Sequence, residues 1–332
     1  MIITCRTPLR VSFFGGGTDY PEYFKRAGRR GAVIGMAIDK YIYISALRLS
    51  GIQPYRYRLS YSRLETVTQA SDIQHNVVRV GLSVYGCNED LDISIMSDMP
   101  ASTGLGSSSA FTVGFVNLLS ALQNRPRTKL DLAKEAIHIE RDLLQERVGV
   151  QDQLHAAFGG INRFDFDANG FSIRPVAMSS DCLEALCSSL LLIYTGQTRH
   201  ASATLDEQIQ KTTENKVDRE LSDLLALVDQ GMDLLQGNDP ETMLRDFGAM
   251  MHEGWKIKLS LSSKISSSDI NTLYDVARRH GALGGKLCGA GGGGFLLMVV
   301  PPAYQKSVIE AVSPARVVPV GLDTLGSTII MR

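Results

Sequence analysis

The chain has 332 residues, of which 44% are hydrophobic and 21% charged, a composition typical of soluble globular proteins and a length sufficient for about two domains. A formal net charge of −1 gives no long-range field to gather nucleic acid or an anionic membrane, so any bound anion must be held by local groups. No run of about 18 apolar residues could span a bilayer, residues 1–6 lack the basic and apolar regions of a secretion signal, and five scattered cysteines lack metal spacing. Free thiols in a reducing cytoplasm are therefore expected.

Arg10–Phe14 and Lys40–Ser45 are β-branched and aromatic, and read as strands. Between them, Gly15-Gly16-Gly17-Thr18-Asp19 forms a loop almost without side chains. It leaves room for a polar ligand, with Asp19 an acceptor for sugar hydroxyls; a glycine turn with an Asx cap accounts for it equally well. Leu91–Met96 alternates as a strand and leads into Pro100-Ala101-Ser102-Thr103-Gly104-Leu105-Gly106-Ser107-Ser108-Ser109-Ala110.

This loop is the most informative stretch. Its glycines permit positive φ and close backbone approach, and its serines fall where an apolar helix begins. Unpaired N–H groups and the positive end of the helix dipole make an anion site there. A phosphate cradle is the sharp reading; a Gly/Ser loop with an ordinary N-cap is the plain one. No Gly-Lys-Ser/Thr occurs, so the loop is not the common P-loop.

Residues 128–147 read as a helix capped by Thr128. Glu140 falls on its apolar stripe, where a buried carboxylate needs compensation by Mg²⁺ or by pairing with Arg141 or Arg147, unless it snorkels to the stripe's edge. Asp152 follows a glycine break at a helix start, as an N-cap or as a carboxylate able to accept a hydroxyl proton. Composition shifts near residue 180. Leu190–Tyr194 reads as a buried strand, 202–236, 240–259 and 268–281 as helices, 295–300 as a strand, and Pro301-Pro302 as the start of a final helix. Gly289, Gly291 and Gly294 formally match a dinucleotide fingerprint, but a strand follows them where that motif requires a helix.

Three ordered motifs make nearly the whole chain resemble the GHMP kinases: Pro8–Tyr20, residues 100–110, and Lys286–Gly294. Within that family the pattern is most similar to the D-glycero-D-manno-heptose 7-phosphate kinases, and fucokinases share much of it. The resemblance implies an α+β fold, with an ATP-binding domain resembling ribosomal S5 domain 2 over 1–180 and a ferredoxin-like domain over 181–332. It implies ATP and Mg²⁺ as cofactors and phosphorylation of the anomeric hydroxyl of heptose 7-phosphate, for nucleotide-activated heptose. Carried over by motif, Arg10 and Asp152 are catalytic. Pro100, Thr103, Gly104, Leu105, Gly106, Ser107, Ser108 and Ser109 hold the nucleotide, and Ser108 and Glu140 hold Mg²⁺. Gly16, Gly17, Thr18, Asp19, Gly291 and Gly292 face a sugar phosphate. Arg199, after a strand and at a helix start, is the first choice for the 7-phosphate, with Arg79, Arg163 and Lys286 as alternatives. Galactokinases carry Glu-His where this chain has Gly16-Gly17, which argues against galactose. A homodimer is an open assembly, and neither nucleic acid nor membrane is an expected partner.

Overall fold

The computed structural model describes residues 1–197 and 202–332. In chain order the elements are β1 (Ile2–Phe14), α1 (Pro21–Phe24), β2 (Gly31–Arg48), β3 (Tyr57–Ser60), β4 (Leu64–Val67), α2 (Asn76–Val84), β5 (Leu91–Ser97), α3 (Ser107–Leu122), α4 (Lys129–Ile137), α5 (Gln151–Phe158), β6 (Ile161–Asp167) and β7 (Gly170–Pro175). The second half adds α6 (Ser180–Ser188), β8 (Leu190–Tyr194), α7 (Ser202–Thr213), α8 (Asp218–Leu235), α9 (Pro240–Leu261), α10 (Ser268–Arg279), β9 (Gly284–Leu287), β10 (Phe295–Val299), α11 (Pro302–Ala311), β11 (Val317–Pro319) and β12 (Thr328–Met331).

One eight-stranded sheet runs in the order β12-β1-β2-β5-β3-β4, with β6 on β2 and β7 on β6. β1 and β2 are long because their β-branched and aromatic runs continue well beyond the short segments recognisable in the sequence. Their register shifts between Pro8 and Leu9, where proline has no N–H to give the ladder. α3 lies against this sheet and is apolar on nearly every side, hence its deep burial. Gly114 lets it close on β1: a Cβ there would sit 2.5 Å from Thr7 Oγ1.

The second sheet, β11-β8-β10-β9, is antiparallel throughout. The first sheet meets α9 through aromatic contacts, with Phe13 and Phe14 edge-on to Phe247 at 5.1 and 5.4 Å. β12, at the end of the second half, crosses back and pairs with β1.

Two helices differ from the sequence reading. That expected over 128–147 begins as read, with Thr128 Oγ1 accepting from the Asp131 N–H at 3.1 Å. It widens into a π turn at His138–Leu143 and stops there. The 202–236 helix breaks between α7 and α8, where Asn215 takes a φ of +60° and the hydroxyls of Thr212 and Thr213 bond back to Gln208 and Ile209. Among the described residues no helix is long and apolar enough to cross a membrane.

Candidate active site

A cavity of about 750 Å³ opens where the end of β1, the N-terminus of α3 and the start of α5 face α8, α9 and the loop after β9. Its walls hold Arg10, Gly16, Gly17, Asp19, Gly104, Gly106, Ser107–Ser109, Asp152 and Gly291. Distant sequence motifs therefore converge on one space.

The loop before α3 is built for close approach. Gly104 and Gly106 have φ of +83° and +74°, a region costly for other residues. A Cβ on Gly104 would lie 2.5 Å from the carbonyl oxygen of Cys288, so this loop and the late glycine loop touch backbone to backbone. No side chain caps α3, and the first three of its 16 residues, Ser107–Ser109, line the cavity at the helix end that favours anions.

Pro100, Thr103 and Leu105 do not line the cavity; they shape the loop. Thr103 donates to the Pro100 carbonyl, and the Leu105 carbonyl accepts from the Arg10 N–H. Thr18 and Gly292 also stand back from it, Thr18 bridging the carbonyls of Gly15 and Ala32. Arg199 lies outside the described residues. Arg79 and Arg163 are engaged elsewhere, Arg163 in ion pairs with Asp165 and Asp229.

Arg10 is buried and grips Asp152 through two nitrogens, at 2.7 and 2.8 Å. Asp19 accepts from the Gly17 N–H at 3.0 Å and from the Gln151 N–H at 3.4 Å. Burial, reinforced by the charge of Asp152, pushes its carboxyl above the ordinary value. Glu140 sits behind Ser109, fully buried. It accepts from Thr112 at 2.6 Å, from Ser109 at 2.9 Å and from Gln153. Burial lifts it to about 7 even though three donors pull the other way.

Glu140 has no cationic side chain within ion-pair distance among the described residues. One carboxylate with serine hydroxyls suits a hard cation only if phosphate oxygens and water complete its shell, so the donor set fits Mg²⁺ bound together with a nucleotide and not alone. At one end of the cavity Tyr61, His75 and Phe111 form an aromatic cluster, with ring centroids 5.2 and 4.7 Å apart in sequence.

The sequence reading missed Ser12, Gln151 and Lys258, all in the cavity wall. Lys258 was detectable by the signal that flagged Glu140, a charge on the inward stripe of its helix. Ser12 and Gln151 gave no such signal.

The profile for the GHMP kinases N terminal domain matches residues 71–160, and that for GHMP kinases C terminal matches 241–317, together half of the chain. The chain belongs to the GHMP kinase family. This GHMP kinase is 29% identical over 323 residues to the D-glycero-alpha-D-manno-heptose 7-phosphate kinase of Campylobacter jejuni, covering 93% of this chain and 92% of that one. It is 25% identical to the Arabidopsis thaliana bifunctional fucokinase/GDP-fucose pyrophosphorylase, but spans only 30% of that protein. Its fold matches the crystal structure of a D-glycero-D-manno-heptose 1-phosphate kinase from Bacteroides thetaiotaomicron at a TM-score of 0.73 and 22% identity, over 100% and 99% of the two chains. The protein is thus a sugar kinase of this family, with the two-domain α+β fold.

Proposed function

We propose that this kinase transfers a phosphoryl group from ATP to the anomeric hydroxyl of D-glycero-D-manno-heptose 7-phosphate, giving the 1,7-bisphosphate for nucleotide-activated heptose. The observation that carries this reading is the Arg10–Asp152 pair, which joins the cradle at the α3 N-terminus to the pocket of Gly16, Gly17 and Asp19. The Campylobacter jejuni relative supports the choice of sugar.

Phosphoryl transfer asks a protein mainly for positioning and charge neutralisation. ATP with Mg²⁺ supplies the phosphoryl group and screens its charge. Gly104, Gly106 and the N–H groups of Ser107–Ser109 would cradle the phosphates, and Tyr61, His75 and Phe111 offer an apolar wall to the base. Ser108 and Glu140 would hold the metal. Asp152 takes the sugar proton at a carboxylate oxygen; an anomeric hydroxyl is the most acidic of a sugar's hydroxyls, which suits a carboxylate base. Arg10 fixes that carboxylate and places positive charge beside the phosphate loop. Asp19 accepts from ring hydroxyls.

An ADP-release screen tests the reading. Heptose 7-phosphate should give a far higher kcat/KM than free heptose, fucose or galactose. A preference for any unphosphorylated sugar would overturn it.

A further inference from the structure

Two lysines in the cavity wall take no part in the chemistry described so far. Lys286, on β9, is buried, and its Nζ donates to the Phe13 carbonyl at 3.0 Å. Lys258, on α9 and half-buried, donates to the carbonyls of Leu287 at 2.9 Å and Gly289 at 2.5 Å. Among the described residues, no carboxylate lies within ion-pair distance of either. Each ammonium has three donors, so Lys286 keeps two open and Lys258 one.

Placing two such charges together without a counter-ion is costly. Burial pulls Lys258 down to about 7, with the charge of Lys286 adding to it, and burial, with the charge of Arg10 adding to it, brings Lys286 to about 8. Polar atoms without partners stand beside Lys286, in the same cavity wall as Lys258. Ser12 Oγ and Gln151 Oε1 are buried with no hydrogen bond among the described residues. Around the bare Cα of Gly16, a Cβ would lie 3.6 Å from Ser12 Oγ and 4.0 Å from both Gln151 Nε2 and Lys286 Nζ. A ligand with a dianionic head and a hydroxylated body would answer all four groups.

We propose that Lys258 and Lys286 form the anion subsite for the phosphate carried by the acceptor sugar, with Ser12 and Gln151 on its hydroxyls. The proposal rests on the kinase reading above and deepens it. The acceptor is favoured over the nucleotide as the source of that phosphate because Lys286 meets the cavity beside Gly16 and feels the charge of Asp19. The α3 N-terminus, by contrast, already offers the nucleotide a phosphate cradle.

The test is calorimetric binding of heptose 7-phosphate and of free heptose to wild type, Lys258→Met and Lys286→Met, with KM for ATP measured alongside. Each variant should lose about ten- to a hundredfold of the preference for the phosphorylated sugar, while KM for ATP holds. An unchanged preference, or a rise in the ATP KM instead, overturns the subsite. Wild type alone gives a second measurement that needs no variant to fold. Inorganic phosphate should compete with heptose 7-phosphate and leave binding of a non-hydrolysable ATP analogue unaffected; competition with the analogue only, or with neither, also overturns it. If wild type turns over heptose 7-phosphate and both variants keep the preference, the subsite falls and the kinase reading stands. If wild type accepts only unphosphorylated sugars, both fall.

Discussion

Arg10 and Asp152 hold each other at two points, Nε to Oδ1 at 2.7 Å and Nη2 to Oδ2 at 2.8 Å, while the third guanidinium nitrogen donates to the Gly104 carbonyl at 2.6 Å. One planar group thus ties β1, α5 and the phosphate loop together, a task that depends on its fork of donors. It follows that Asp152→Asn should lose both the base and one of the two Arg10 contacts, because an amide nitrogen cannot accept from the guanidinium. We expect kcat to fall about 10²–10⁴-fold, with binding of a non-hydrolysable ATP analogue retained. Near-normal turnover in a folded variant would remove Asp152 from the chemistry.

Arg10→Lys keeps the charge and loses the fork. A point charge cannot serve both Asp152 oxygens and the Gly104 carbonyl, so kcat should drop by about ten- to a hundredfold, the loss of a charged hydrogen bond of about 1.5–3 kcal/mol. Steady-state kinetics beside a thermal melt would separate this from unfolding. Full activity in the lysine variant would mean that charge alone suffices.

Much of this site was legible in the sequence because its parts are local: a glycine loop before a helix, a carboxylate on an apolar stripe, an aspartate at a helix start. The strands were legible where alternation was strong, as in Leu91–Ser97. What the sequence hid is produced by long-range contact. Gly104 meets Cys288 across the chain, β12 returns to β1, and Lys258 reaches the cavity only because α9 packs against β9. Thr18 and Leu105 belong to motifs whose resemblance implies ligand contact, yet neither lines the cavity and the Thr18 side chain bonds inward to backbone carbonyls. Adjacent residues in a tight loop point in opposite directions, and no spacing rule reports which one faces the ligand.

Glu140→Gln should raise the Mg²⁺ concentration needed for half-maximal rate and lower kcat, since an amide is a poorer ligand for a hard cation. Wild type should also need more Mg²⁺ as pH falls through about 7, where the Glu140 carboxyl takes up a proton, and the glutamine variant should lose that pH dependence. Identical Mg²⁺ curves for the two proteins would place the cation elsewhere.

His155 is buried against Phe164, with its ring against the bare Cα of Gly35. Burial depresses it from 6.5 to about 3, with the charge of Arg10 adding to the effect. A depressed folded value means that the unfolded chain takes up the proton first as pH falls. The stability contribution is therefore complete above about pH 6.5 and is lost progressively below it. At pH 5 the loss should be about 2 kcal/mol. Urea unfolding of wild type and His155→Asn at pH 7.5 and pH 5 would detect it: the gap between the two proteins should narrow at the lower pH. A constant gap would mean that His155 protonates equally in both states.

The central claim is transfer of phosphate to the anomeric oxygen of a sugar that already carries one. Phosphorus NMR of the product from heptose 7-phosphate and ATP tests it most directly. The account predicts one ADP per sugar, the 7-phosphate signal preserved, and a new signal coupled to the anomeric proton. A new phosphate coupled to any other sugar proton, or no transfer to this sugar while a free hexose is phosphorylated, would contradict it.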